Sequence, residues 1–434
     1  MKLKPSAYNV FLNVDDKDYA FNTFRCELAE IDQSVKYSLQ NARLDNINDD
    51  DIKDLIEAGF IVPIDINEPE NYFRMFNEKK REKKLSIKFL LATFCNACCT
   101  YCYQAQGNYK SEIIDSRNLE IFIKWLSNEI EANEIKDIDI ELFGGEPLLA
   151  GSLIPELYER LGEIGSKYQV DLTTAIITNA TLLTDDLIRV FLDNNVEIKM
   201  TLDGIGKVHN DRRRLKDPSK DGYRIVLNNI KKIKQAGGID LINIRMNVDK
   251  LNINEVEALA SELNGLGITK FYCGRVFFRG IETDYDKNLF SDLDYDKEID
   301  LKLYYTFRKY GFANSPSNLD AKFSCQFFNK YGYVVSPSLK VAKCDELIDL
   351  PEFQIGYINH NGKLIRTNNN YMRQTSASPA DYEQCRQCKL LPLCAGGCPI
   401  ISLNKKGTVY TNSCSITEES VKFKIANILK TIED

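Results

Sequence analysis

From Leu85 onward, apolar positions alternate between two rhythms. Runs of period two occupy Ile87–Leu91, Ile138–Phe143, Leu172–Thr178, Val196–Thr201, Ile242–Val248 and Lys270–Phe278, and they predict strands. Stretches of period near 3.6 separate them. The clearest is 116–130, with Leu119, Phe122, Ile123, Leu126 and Ile130 on one stripe; others cover about 155–166, 184–194, 223–236 and 252–264. Strand, helix, strand repeated six times predicts right-handed βαβ units and a parallel sheet. A closed eight-unit barrel takes ~250 residues. Six units in fewer residues therefore predict an α/β fold with an open, partial (β/α)6 barrel, its active site at the C-terminal ends of the strands.

The flanks read differently. Residues 1–66 form a small αβ module. Val10, Leu12 and Val14 alternate as in a half-buried strand, DDKD (15–18) turns the chain, and Tyr19-Ala20-Phe21 follows. A helical stretch then ends near Leu44. NDDD (48–51) caps a short helix with Ile52, Leu55 and Ile56 on one face, stopped by Gly59. The run NEKKREKK (77–84) predicts a solvated linker or helix face, which sets residues 67–84 as a charged linker and 85–315 as the barrel. In 316–434 periodicity gives way to cysteine spacing, and 416–432 predicts one terminal helix.

Composition narrows the chemistry. The chain has 434 residues, 44% of them hydrophobic, and a net charge of −7, a balance that does not favour capture of nucleic acid. No uncharged apolar run approaches the ~18 residues of a membrane span, and the N-terminus has no signal-peptide core. A cytoplasmic protein that binds neither nucleic acid nor membrane is expected. There are 13 cysteines against 2 histidines, His209 and His360. So few imidazoles argue against a serine triad, a His-rich zinc enzyme or a haem site. An odd cysteine count without an export signal does not suit a disulfide framework. Thiolates gathered by spacing in a reducing compartment point to zinc or iron–sulfur.

The first group lies at the end of the first barrel strand: Cys95-x3-Cys99-x2-Cys102, with Cys98 inside it as a bystander. Three thiolates on one tight loop can hold three corners of a four-iron cube and leave the fourth iron open. Taken alone, the triplet fits a zinc site or buried thiols equally. Its place on a βα barrel makes the chain resemble a radical SAM enzyme. That resemblance implies that the open iron chelates S-adenosylmethionine, whose reductive cleavage gives a 5′-deoxyadenosyl radical that takes a hydrogen atom from the substrate.

Other strand ends carry the same resemblance. Phe143-Gly144-Gly145-Glu146-Pro147 is similar to the family's GGE motif, whose backbone and carboxylate hold the SAM amino group. Tyr101 matches the aromatic beside the adenine. Thr201-Leu202-Asp203-Gly204 resembles S-x-D-G, with Arg213 twelve residues after Thr201. The hydroxyl of Thr201 and the Arg213 fork are implied as holders of the SAM carboxylate. Arg212–Arg214 run together, so the register is open by one. Thr178-Asn179 resembles the family's T-N and implies Asn179 as a further SAM contact, with Ala180 where a glycine is usual. His209 reads as structural.

The C-terminal pattern is Cys325-x18-Cys344, then Cys385-x2-Cys388-x5-Cys394-x3-Cys398, then x15-Cys414. Paired zinc knuckles share such spacings. Beside the first motif the pattern resembles the SPASM extension of radical SAM peptide maturases, which implies two auxiliary [4Fe–4S] clusters and three in all. Carried over, Cys385, Cys388, Cys394 and Cys414 complete one, and Cys325, Cys344 and Cys398 hold the other. Leu339 stands where the family has a glycine, so the turn at Pro337-Ser338-Leu339-Lys340 is expected to close differently. Three ligands on the inner cluster imply an open iron for a substrate thiolate, since 315–324 supplies no eighth cysteine and Cys273 reads as packing.

Residues 1–66 resemble the PqqD-like winged-helix module that binds leader peptides. The whole then implies a maturase of a ribosomally made precursor peptide, forming a thioether crosslink and fed by a donor such as flavodoxin or ferredoxin. Carbon–carbon crosslinking, epimerisation or formylglycine formation by the same machinery stays open, as does a non-catalytic zinc- or iron-binding module. No catalytic base stands out among 63 Asp and Glu.

Overall fold

The computed structural model describes residues 2–106, 110–278, 283–291, 299–312, 319–323, 325–414 and 416–433. The expected boundary at 315/316 lies outside them.

The N-terminal module starts with β1 (Leu3–Pro5), β2 (Asn9–Val14), β3 (Lys17–Asn22) and β4 (Glu27–Ile31), and closes with β5 (Ile61–Pro63) against β1. β2, β3 and β4 form an antiparallel meander. Helices Gln33–Asn41 and Asp49–Glu57 follow; Asn48 caps the second by accepting from the backbone N–H groups of Asp50 and Asp51. The stretch expected to be helical up to Leu44 thus contains a third strand. β4 is an edge strand whose Glu27 and Glu30 face water, so its alternation is shallow.

Six parallel strands build the half-barrel: β6 (Lys84–Ala92), β8 (Asp137–Gly144), β9 (Asp171–Thr178), β10 (Glu197–Thr201), β12 (Ile242–Val248) and β13 (Phe271–Arg275), with the short β7 (Ala97–Cys99) and β11 (Arg213–Leu215) in loops above them. The helices expected between them are all present. Ser116–Asn133 buries Leu119, Phe122, Leu126 and Ile130, as the stripe requires. Trp125 is also fully buried, whereas Ile123 only flanks the core. Phe122 stacks on Phe89 at 3.9 Å between ring centres, and Trp125 packs edge-on against Tyr333. Burying side chains of this size contributes ~1.5–3 kcal/mol each. Along β12, Ile242, Ile244, Met246 and Val248 face the helices, and Asn243, Arg245 and Asn247 face the concave side.

The sheet does not end at the first barrel strand. β14 (Gly332–Val335) pairs parallel to β6, and β15 (Lys340–Ala342), β16 (Gly356–Ile358) and β17 (Leu364–Arg366) continue it antiparallel, giving one ten-stranded mixed sheet. The charged segment before the barrel is likewise no tether. Glu68–Lys79 is a helix whose Tyr72, Phe73 and Phe76 pack with Tyr8, Phe327, Phe328, Leu391 and Ile400. The terminal helix Glu418–Glu433 presents Val421 and Ile425 to Val10, Leu12 and Phe21 of the N-terminal meander. The first and last parts of the chain therefore share a core. Among the described residues no helix is long and apolar enough to cross a membrane.

Candidate functional site

The loop after β6 is fixed by backbone pairing. β7 pairs antiparallel with β11, setting Cys99 opposite Arg213 and Cys98 opposite Arg214. Thr100 N–H donates to Arg212 O at 2.9 Å. Gly145 N–H donates to Ala92 O at 2.8 Å, and Glu146 N–H to Phe94 O at 3.0 Å. The glycines make this approach possible: Gly144 has φ +136°, and a Cβ on Gly145 would stand 2.3 Å from Phe94 O. Their close neighbour is the cysteine loop itself.

Cys95, Cys99 and Cys102 lie close enough to influence one another's ionisation. Burial pushes the Cys95 thiol up, with the Glu146 carboxylate adding to it. Burial pushes Cys99 up to about 12, and the Arg213 guanidinium works against it. Thiols held this high give up their protons to a metal rather than to water. Cys98 is exposed and stands apart from the set.

The implied SAM contacts fall around this loop in unequal ways. Glu146 is fully buried, and its carboxylate accepts from Thr178 Oγ1 (2.6 Å), Asn179 N–H (2.8 Å) and Leu148 N–H (3.0 Å). It serves the strand ends, because the unpaired donors there need an acceptor, and its Oε2, which accepts one bond, keeps acceptor capacity. Asn179 donates to Asn96 Oδ1 at 2.8 Å and lies 3.6 Å from Cys95 Sγ. Thr201 is buried at the end of β10.

The consecutive arginines take different partners. Arg212 is committed to a buried bidentate pair with Asp249, both contacts 2.8 Å. Arg213 reaches inward and donates to Tyr101 Oη at 2.5 Å. Tyr101 in turn donates to Asp203 and accepts from Asn247 Nδ2 at 3.0 Å. Its ring packs near Tyr285 and below the Arg212 guanidinium at 5.2 Å. His209 accepts from Asp203 N–H through Nδ1 at 3.3 Å, and burial pulls its pKa down to about 3, so it stays a neutral strut. Asp203 is the hub of this network and Asn247 belongs to it, a joining of distant strand ends that local spacing does not show. Gln104, two residues past Cys102, holds a buried Nε2 without an acceptor among the described residues, and only the fold reveals that.

The C-terminal cysteines sort into two sets. Cys385 feels Cys394, Cys414 and Cys388, while Cys344 feels Cys325 and Cys398. Burial pushes Cys385 up to about 12 and Cys325 up to about 11. Gly397 (φ +89°) lets the Cys398 turn lie against Ser413, whose hydroxyl donates to Cys398 O at 2.9 Å. Leu339 adopts φ +64° and donates its N–H to Ser336 O at 2.9 Å. The turn thus closes in the left-handed form that suits glycine. Ala180 does the same at φ +59°. Each costs ~1–2 kcal/mol, offset by burial of the side chain.

Soft sulfur donors in sets of three, four and three, with Arg213 beside the first and the buried Lys343 beside Cys325, fit iron–sulfur clusters. Among the described residues no three His, Cys, Asp or Glu side chains converge tightly enough to hold one ion. A four-iron cube asks less, since its irons occupy separate corners.

Residues 89–263 match the family model described as Radical SAM superfamily. A cysteine-type anaerobic sulfatase-maturating enzyme of Clostridium novyi (strain NT) is 24% identical over 353 residues, 70% of this chain and 84% of that protein. The radical SAM cyclopropyl synthase TigE of Paramaledivibacter caminithermalis is 22% identical over 445 residues, 91% and 89% of the two chains. Native anSMEcpe with bound AdoMet and Cp18Cys peptide superposes with TM-score 0.61 at 20% identity, covering 81% and 98%. Streptococcus suis SuiB bound to precursor peptide SuiA gives TM-score 0.56 at 13% identity, covering 95% and 99%.

Proposed function

We propose, from the premise that this chain carries a radical SAM domain and is a peptide-modifying enzyme, that it matures a ribosomally made, cysteine-bearing precursor by joining sulfur to carbon in a thioether. When bound, a cluster on Cys95, Cys99 and Cys102 with S-adenosylmethionine supplies a deoxyadenosyl radical that takes hydrogen from carbon. Around it, Arg213 offers a planar fork and Thr201 a hydroxyl to a carboxylate. Gly144, Gly145 and Glu146 hold the floor against the loop, Asn179 braces Cys95 through Asn96, and Tyr101 carries Arg213.

The observation that carries the thioether reading is the grouping of the C-terminal cysteines, four in one set and three in the other. A three-cysteine set would leave one iron for a substrate thiolate. Making the crosslink breaks one C–H and one S–H bond and leaves one electron for an acceptor, a task that further clusters suit. The electron that starts each turnover would come from flavodoxin or ferredoxin. The N-terminal module supports leader binding: the outer edge of β4 pairs with no other strand among the described residues, so a leader could add there. The charge, the cysteine usage and the chemistry support a cytoplasmic site of action.

Anaerobic reconstitution tests this. About twelve irons per chain are expected for three four-iron clusters, falling by about four in Cys344→Ser and again in Cys394→Ser. The product of the cognate precursor should be lighter by two hydrogens and carry a cysteine blocked to alkylation. A second reading, oxidation of a substrate cysteine to formylglycine, draws on the sulfatase-maturating relative; loss of sulfur from the product would favour it. Unchanged mass in H2O together with deuterium uptake at one carbon in D2O would indicate epimerisation.

A further inference from the structure

The concave face of the half-barrel is charged, and among the described residues Lys84, Lys88, Lys199, Arg212 and Arg213 meet carboxylates while Arg245 does not. Lys84 pairs with Asp139 at 2.7 Å, Lys88 with Asp345 at 2.9 Å and Lys199 with Glu141 at 2.8 Å. Higher up, Arg212 pairs with Asp249 at 2.8 Å, and Arg213 lies 3.8 Å from Asp203. Arg245, half-buried in the middle of β12, has no carboxylate within ion-pair distance among the described residues. Its Nε donates to Asn247 Oδ1 at 2.8 Å, and its guanidinium lies 5.8 Å from the ring centre of Tyr272.

The neighbours leave room for this side chain and do not neutralise it. A Cβ on Gly274 would stand 2.6 Å from Arg245 Nη2, so the glycine lets the fork lie flat across β13. A half-buried guanidinium without a counter-charge is costly, and a fork held on an aromatic ring suits a carboxylate. Its position is informative. Asn247 is the next residue on the same face of β12, ~7 Å along the strand, and its Nδ2 donates to Tyr101 Oη at 3.0 Å. Arg245 thus lies one pleat below the network beside the first cysteine loop.

We propose that Arg245 anchors a carboxylate side chain of the substrate peptide, an Asp or Glu near the carbon that loses hydrogen, and so selects acidic segments. The proposal rests on the peptide-modifying reading but not on the thioether outcome. The test is arginine footprinting of the reconstituted holoenzyme with phenylglyoxal, read by mass spectrometry of the proteolysed chain, with S-adenosylmethionine saturating and glutarate as the carboxylate probe. Arg245 should label, glutarate should slow that labelling severalfold, and the neutral isostere glutaramide should not. Arg212, bonded and buried, is the unlabelled internal reference. The proposal is overturned if Arg245 resists labelling, if glutarate and glutaramide act alike, or if S-adenosylmethionine alone abolishes the labelling, which would assign the fork to the cofactor. Product mass is read separately, so a failed thioether reading leaves this result intact.

Discussion

The two cysteine-bearing regions are built on opposite plans. The loop around Cys95, Cys99 and Cys102 rests on a finished scaffold: six parallel strands, a continuous apolar layer under the helices, and a short strand pair that sets Cys99 against Arg213. The region from Cys325 to Cys414 has strands of three or four residues and helices of four to eight, apart from the terminal one. Its apolar contacts come partly from elsewhere, from Tyr8 and from Tyr72, Phe73 and Phe76. In the first case the fold presents the thiols. In the second, thiols pushed up by burial lie within the interior, so a metal bound there would do much of the gathering.

The largest effect expected from this contrast is on metal removal. Purification without iron should leave amide protection in the ten-stranded sheet from β6 to β17 intact, since one sheet and one core join its strands, and collapse it across 379–414, read by hydrogen exchange. Equal protection of both regions without metal would break the comparison. Next in size is the buried ion pair that supports the first loop. Arg212→Ala strands Asp249 and should cost about 3–5 kcal/mol in urea denaturation, whereas removing an exposed pair such as Lys53 and Asp50 should cost almost nothing.

A smaller effect is set by pH. His209 has its folded pKa pulled below 6.5 to about 3, so the unfolded chain binds the proton more readily. Stability is therefore full above about 6.5 and declines as pH falls toward 3. In His209→Asn, which keeps an acceptor for Asp203 N–H, the slope of unfolding free energy against pH should flatten in that window. An unchanged slope would mean that the imidazole is not the titrating strut. Smallest is the pair of left-handed residues, one in each region. Ala180→Gly relieves strain and loses one methyl, a net change below about 1 kcal/mol, measured as a shift in Tm. Leu339→Gly relieves similar strain but gives up a buried leucine, so it should destabilise by about 1–3 kcal/mol. If both substitutions stabilise equally, burial is not what holds Leu339.

What could be read ahead of the structure was local. Six strands, their helices and the cysteine spacings each depend on residues a few positions apart. The third N-terminal strand escaped because an exposed edge needs only one apolar face and Glu27-Leu28-Ala29-Glu30-Ile31 barely shows it. The helix at 68–79 escaped because the charges that follow it disguised the stripe of Tyr72, Phe73 and Phe76, most of whose partners are more than 200 residues away. At the site, the motif implies Glu146 as a ligand contact, and only the fold shows that its carboxylate also accepts from Thr178, Asn179 and Leu148.

The sequence by itself determined the strand–helix repeat and the spacing of ten thiols, because periodicity and chelate spacing are properties of neighbouring residues. Tertiary structure alone decided what each of the consecutive arginines Arg212 and Arg213 meets, which carboxylates already accept bonds, and which guanidinium faces no carboxylate among the described residues. Those outcomes depend on long-range register: β7 against β11, β12 against β13 and β14 against β6. A shift of one residue in any of them would exchange the buried and open faces.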